Sequence, residues 1–133
     1  MRIATWNINS VRLRIHHVLR FIKEQNIDVM CLQETKTPDE FFPKDELEKI
    51  GFKHQYYRGE KSYNGVAIIS KFEFTDTGYL NWCEKDDTRH IYIKLNNNIE
   101  IHNFYVPAGG DEPDISINPK FEHKISFINE MKN

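Results

Sequence analysis

Cysteine is scarce in this chain: Cys31 and Cys83 are the only two among 133 residues. That count excludes a disulfide framework, and no paired Cys/His spacing points to zinc. Cys31 lies in an apolar run and reads as a small core residue. Long hydrophobic runs are missing too, and none approaches the roughly 20 residues a bilayer span needs. The opening MRIATWNINS has neither an apolar core nor a small-residue cleavage site, so it does not read as a signal peptide. A cytoplasmic protein with no membrane partner is the expectation. A dominant charge is also lacking, with 18 Lys plus Arg against 20 Asp plus Glu and a formal net charge of −2. A polyanionic partner is neither implied nor excluded, because basic groups can converge on one face of a net-acidic protein.

What is present is the composition of a globular domain, 39% hydrophobic and 29% charged, and the length predicts one domain over residues 1–133. Residues 2–7 alternate as a strand. Ser10 offers an N-cap for a helix from about Val11 to Gln25, with Val11, Ile15, Val18, Leu19 and Ile22 on one face. Asn26 ends it, and 27–32 form a second strand. Strand, helix and strand in so short a span predict a parallel βαβ crossover. Pro43 opens a short helix closed by Gly51; 52–57 is a strand, RGEKSYNG a polar loop, and GVAIIS another strand. Strands at 90–95 and 99–106 are joined by a turn of three asparagines. A long loop over 107–119 precedes a last helix from about Pro119 to Met131.

These elements predict an α/β fold with one mixed β-sheet of about six strands and its few helices on one face. GVAIIS and VMCL are apolar on both sides, so something besides those helices must cover the second face.

Polar residues collect at the predicted strand ends: Asn7 and Asn9 after the first, Gln33, Glu34 and Lys36 after the second, Tyr105 near the last. Arg12 lies at a helix start, and Tyr63 and Asn64 precede a buried strand. In open α/β sheets, ligands bind outside the carboxyl ends of the strands. A carboxylate with an amide oxygen suits Mg²⁺ or Mn²⁺, and a lysine, an arginine and a tyrosine hydroxyl suit a phosphate. Together they sketch a metal-assisted phosphoester site. The histidines at 90 and 102 read as packing residues, and Asp86 and Asp87 as a solvated acidic loop.

The segments ATWNINSVRLR, DVMCLQETK, YNGVAIIS, TRHI and NFYVPAGG, in that order and spacing, resemble the exonuclease III family of the endonuclease/exonuclease/phosphatase superfamily. The resemblance runs from Met1 to the last helix. It implies a DNase I-like fold, a four-layer α/β sandwich, of which this chain would be the N-terminal half. It also implies a Mg²⁺- or Mn²⁺-dependent phosphodiesterase of DNA repair, acting on duplex DNA at abasic sites or 3′ ends. Glu34 would bind the metal, Asn7 would order the metal site, and Tyr105 would stand beside the scissile phosphate. Arg12, Lys36, Tyr63 and Asn64 would approach the DNA backbone, with Asn9 and Gln33 behind them. Asn9 stands where some relatives carry aspartate, and Ala108 where many carry Asn or Gln. The family's GDxN and SDH motifs are absent from these 133 residues. The expectation is therefore a chain inactive alone, a truncated or split product needing a complementary C-terminal half. A phosphomonoesterase of the same superfamily is the further alternative.

Overall fold

The computed structural model describes residues 1–133. Strand β1 (Ile3–Asn7) leads into helix α1 (Ile15–Gln25), which returns the chain to β2 (Val29–Gln33), parallel to β1 with Asn7 opposite Gln33. The crossover is as expected, but its helix starts later than Val11. Ser10 sits at φ 86° and does not cap the helix; Arg14 is the residue before its first turn. The cause is the backbone just beyond β2. The N–H groups of Ser10 and Val11 donate to the carbonyls of Glu34 and Thr35, at 2.8 and 3.1 Å, which holds residues 10 and 11 against the strand end. Asn26 closes α1 in the left-handed conformation, which a short amide tolerates.

A short turn at Asp39–Phe41 and helix α2 (Lys44–Lys49) precede β3 (His54–Glu60) and β4 (Tyr63–Ser70), an antiparallel hairpin. The segment RGEKSYNG is therefore mostly strand, and only Lys61 and Ser62 make the turn. Apart from the buried Asn64, its polar residues are strand ends and a turn at the rim of the core, which alternation alone reads as loop.

These strands form a mixed sheet in the order β1-β2-β4-β3. The remaining strands β5 (Phe74–Gly78), β6 (His90–Leu95) and β7 (Glu100–Phe104) do not extend it. They form a second, antiparallel sheet in the order β5-β6-β7. The two sheets pack face to face, Val29, Cys31, Val66 and Ile68 against Ile91, Ile93 and Leu95. This is the cover that the two-sided apolar strands required. On the other side of the first sheet, Ile15, Val18 and Ile22 of α1 and Leu47 of α2 pack against Met30, Leu32, Ala67 and Ile69.

The helices do not share one face, in contrast to the expectation. Helix α3 (Pro119–Lys132) buries Phe127 against Trp82 and Phe104, outside the second sheet. The layers are helix, sheet, sheet, helix. Alternation along a strand tells which side chains are buried. It does not tell which sheet the edge will join, so one sheet and two are equivalent in the pattern. His90 and His102 pack as cross-strand rings, 5.2 Å between centroids. No helix is long and apolar enough to cross a membrane.

Candidate active site

Asn7 is the last residue of β1, and Glu34 follows the last residue of β2. Parallel pairing puts both at one sheet edge, where Asn7 Nδ2 donates to Glu34 Oε1 at 3.0 Å. Tyr105, just beyond β7 in the other sheet, donates its hydroxyl to the same oxygen at 2.7 Å. Lys36 Nζ lies 3.3 Å from Glu34 Oε2 and donates to Asn9 Oδ1 at 2.6 Å. Asn7, Asn9, Glu34, Lys36 and Tyr105 thus form one connected group around a carboxylate.

The electrostatics follow from the bonds. Hydrogen bonds from Tyr105, then from Asn7, hold the Glu34 carboxyl below the usual carboxylate range. Burial, then the bond to the Glu34 carboxylate, pushes the Tyr105 phenol up to about 12. At neutral pH the pair is a carboxylate and a protonated phenol that donates to it.

The backbone here is held in an unusual shape. Asn9, Ser10, Glu34, Lys36 and Asn64 all have positive φ, between 46° and 86°. Each such non-glycine residue costs on the order of 1 kcal/mol and persists only where its surroundings enforce it. They do so here: Ile8 N–H donates to Gln33 O at 3.0 Å, and Lys36 N–H to Asn64 O at 2.9 Å. Gly65 adjoins this rim at φ 96°, and a Cβ there would lie 2.1 Å from Thr35 Oγ1.

The other predicted residues are placed differently. The Arg12 guanidinium stands 5.1 Å from the Phe41 ring centroid and lines a separate cavity with Glu40, Phe42 and Tyr57. Tyr63 and Asn64 border a cavity of about 430 Å³ that adjoins Tyr105 and is edged by Lys85, Arg89 and Lys120. Asn64 is buried and commits its Nδ2 to the Asp87 carbonyl at 2.6 Å. Gln33 lies behind Glu34, donating to Thr5 Oγ1 at 2.9 Å and Asn103 Oδ1 at 2.7 Å.

Sequence reasoning missed Arg89 and Asn103. Arg89 is 8% exposed and grips Tyr105 on several sides. Its carbonyl accepts from the Tyr105 N–H at 2.8 Å, its Nη1 donates to the Tyr105 carbonyl at 3.2 Å, and its guanidinium lies 4.9 Å from the ring centroid. Asp87, read above as solvated, accepts from Arg89 Nε at 2.7 Å, and Asp86 pairs with Arg58 at 2.8 Å. The physical reason is that each aspartate answers an arginine with little exposure of its own, and such a cation needs a partner; Asp87 is drawn in by it, while Asp86 stays mostly exposed as expected. The only available signal was the arginine directly before an apolar strand, where a long cation is out of pattern.

No group of three or more His, Cys, Asp or Glu side chains is arranged to hold a metal. The donor set still fits a hard divalent cation that retains water. Glu34 supplies carboxylate oxygens, and Asn7, with Nδ2 spent on Glu34, has its amide oxygen free of that bond.

Residues 4–130 match the Endonuclease/Exonuclease/phosphatase family. Exodeoxyribonuclease III of Haemophilus influenzae is 38% identical over 73 residues, 55% of this chain and 27% of that protein. An AP endonuclease from Archaeoglobus fulgidus superposes with a TM-score of 0.86 at 36% identity, over 98% of this chain and 49% of that one. A 3′ phosphatase from Neisseria, solved with a product DNA hairpin, gives 0.86 at 29% identity, over 98% and 49%. The chain therefore spans about half the length of these solved relatives.

Proposed function

The chain belongs to the endonuclease/exonuclease/phosphatase family, and from that premise we propose that it carries one wall of a divalent-metal phosphodiesterase site acting on DNA. The observation that carries the reading is the Glu34 carboxylate, kept ionised by Tyr105 and Asn7 at the shared edge of two sheets.

Glu34 and the Asn7 amide oxygen would hold Mg²⁺ or Mn²⁺, which when bound supplies charge neutralisation at a phosphate and a lowered pKa for a coordinated water. The chain's own groups act around that centre. Tyr105 stays protonated at neutral pH and orients the carboxylate by donating to it. Lys36 carries a positive charge beside Glu34, suited to a phosphate oxygen. Lys85, Arg89 and Lys120 edge the adjoining cavity, where a polyanionic strand gains from the concentrated positive charge. Substrates are duplex DNA at abasic sites or 3′ ends. Glu34 is the one carboxylate in this group, so no second carboxylate is at hand to accept a proton from water. On this reading the proton acceptor comes from outside these 133 residues, the part played in the family by a C-terminal half.

The test is a duplex with a single abasic site, incubated with the 133-residue chain and Mg²⁺ or Mn²⁺, then with chelator. No incision alone, but metal-dependent incision after mixing with the second half of a relative, is expected. Incision by the chain alone that vanishes in Glu34→Ala would overturn the requirement for a partner. The Neisseria neighbour, a 3′ phosphatase, favours a second reading in which the bond broken is a phosphomonoester at a DNA 3′ end. A duplex ending in a 3′ phosphate, run in parallel, separates the two.

A further inference from the structure

Asn103 lies on β7, faces the first sheet and is 2% exposed. Its neighbours on that inner face are apolar, Ile91, Ile93 and Ile101 among them. An amide buried there without partners would be destabilising, but this one is fully engaged. Its Nδ2 donates to the carbonyls of Leu32 and Ala67, both at 2.9 Å. Those two residues face each other across the β2–β4 ladder. Its Oδ1 accepts from Gln33 Nε2 at 2.7 Å, and Gln33 also donates to Thr5 Oγ1 at 2.9 Å. One side chain thereby ties β7 of the second sheet to β2 and β4 of the first, and through Gln33 to β1.

The location gives the tie its meaning. Gln33 immediately precedes Glu34, and Asn103 stands two residues before Tyr105. The Tyr105–Glu34 hydrogen bond crosses the same gap between sheets, at 2.7 Å. Apart from the Arg58 Nη1 bond to the His90 carbonyl at 3.3 Å, the strands of the two sheets meet mainly through hydrocarbon, whose attraction is non-directional and tolerates small slides of one layer over the other. Hydrogen bonds weaken steeply once distance or angle leaves a narrow range. Three of them on one amide pin the relative position of the layers beside the site.

We propose that Asn103 is a positioning residue for the candidate active site: its amide fixes the second sheet against the first, and so sets the distance at which Tyr105 meets Glu34. The inference rests on the reading of Glu34 as the functional carboxylate, but its test needs neither metal nor turnover.

The experiment follows the Glu34 carboxyl carbon by NMR across acid pH in the purified chain. Tyr105→Phe sets the scale, because it removes the bond that most depresses Glu34. Asn103→Leu is expected to move the Glu34 titration upward most of the way to the Tyr105→Phe value. Ile93→Val, a small cavity in the same interior, serves as control and is expected to lower thermal stability while leaving that titration in place. Should Asn103→Leu fail to fold, Asn103→Ser, too short to reach the Leu32 and Ala67 carbonyls, cuts the same bonds and is read by the same shift, while Gln33→Met removes the Gln33 arm alone and is expected to give a smaller one. A folded Asn103→Leu or Asn103→Ser in which Glu34 titrates as in the wild type overturns the proposal, as does an equal shift in Ile93→Val. Loss of the DNA reading would show instead as absent incision in the reconstituted assay, with these titrations unmoved.

Discussion

Glu34 and Tyr105 stand 71 residues apart in the chain and 2.7 Å apart in the fold, joined by a hydrogen bond that crosses from one sheet to the other. The carboxylate gains a donor that does not ionise at neutral pH, and the phenol gains an acceptor that keeps it protonated.

Removing the hydroxyl tests this pair directly. In Tyr105→Phe the Glu34 carboxyl should titrate at higher pH, since its largest stabilising bond is gone. The tyrosine has its own pH signature. Its folded value, about 12, lies above the ordinary value near 10. Its contribution to stability is therefore complete below pH 10 and lost as pH rises toward 12. Chemical denaturation across that window should show a steeper alkaline loss in the wild type than in Tyr105→Phe.

Metal binding should respond to two substitutions in opposite directions. Mn²⁺ relaxation of the Asn7 side-chain amide should weaken in Glu34→Gln, which removes the charge. It should appear at several-fold lower Mn²⁺ in Lys36→Met, because the ammonium 3.3 Å from Oε2 repels an incoming cation. Equal affinity in both variants would argue against a metal at this carboxylate.

Arg89 depends on its partner. Asp87→Asn leaves a nearly buried guanidinium without its counter-charge and should cost about 2–3 kcal/mol of unfolding free energy, the low end because Asp87 keeps some contact with water. Urea denaturation measures it. A loss no larger than that of Asp86→Asn, whose aspartate is mostly exposed, would contradict the account.

Burial, then the nearby charge on His102, lowers His90 to about 4. Between that value and the ordinary 6.5 the unfolded chain binds a proton that the folded chain refuses, so stability falls as pH falls through this window. Groups facing His90 are His102, Tyr92 and the cation Arg58, whose Nη1 donates to the His90 carbonyl, with Glu100 beyond His102. From pH 7 to pH 5 the wild type should lose more stability than His90→Gln.

Gly65→Ala should cost more than about 1 kcal/mol, since φ 96° disfavours any side chain and the new carbon meets Thr35 Oγ1. Thermal unfolding reads it, and an unchanged midpoint would show that Thr35 can turn aside.

Much of the fold and part of the site are legible in the residues. The βαβ crossover, and with it the meeting of Asn7 and Glu34, follows from periodicity, because a parallel pair with a helical return has only one economical arrangement. The division into two sheets does not, since β6 and β7 alternate identically whichever sheet they join. Tyr105 could be singled out from its place near a strand end and from the motif around it; its bond to Glu34 was invisible, because that bond spans two sheets. Asn103 and Arg89 read as ordinary strand polarity. Their importance comes from what lies opposite in space, and no local window contains that.

The left-handed rim has a consequence for sequence variation. Residues 9, 10, 34, 36 and 64 are constrained by their backbone as well as by any chemistry of their side chains. β-Branched residues are penalised there even where the side chain faces water, while Asn, Asp and Gly are accommodated. An aspartate could replace Asn9 with no change of backbone, whereas a valine could not. The edge that presents Glu34 is thus open to exchanges of charge and closed to exchanges of shape.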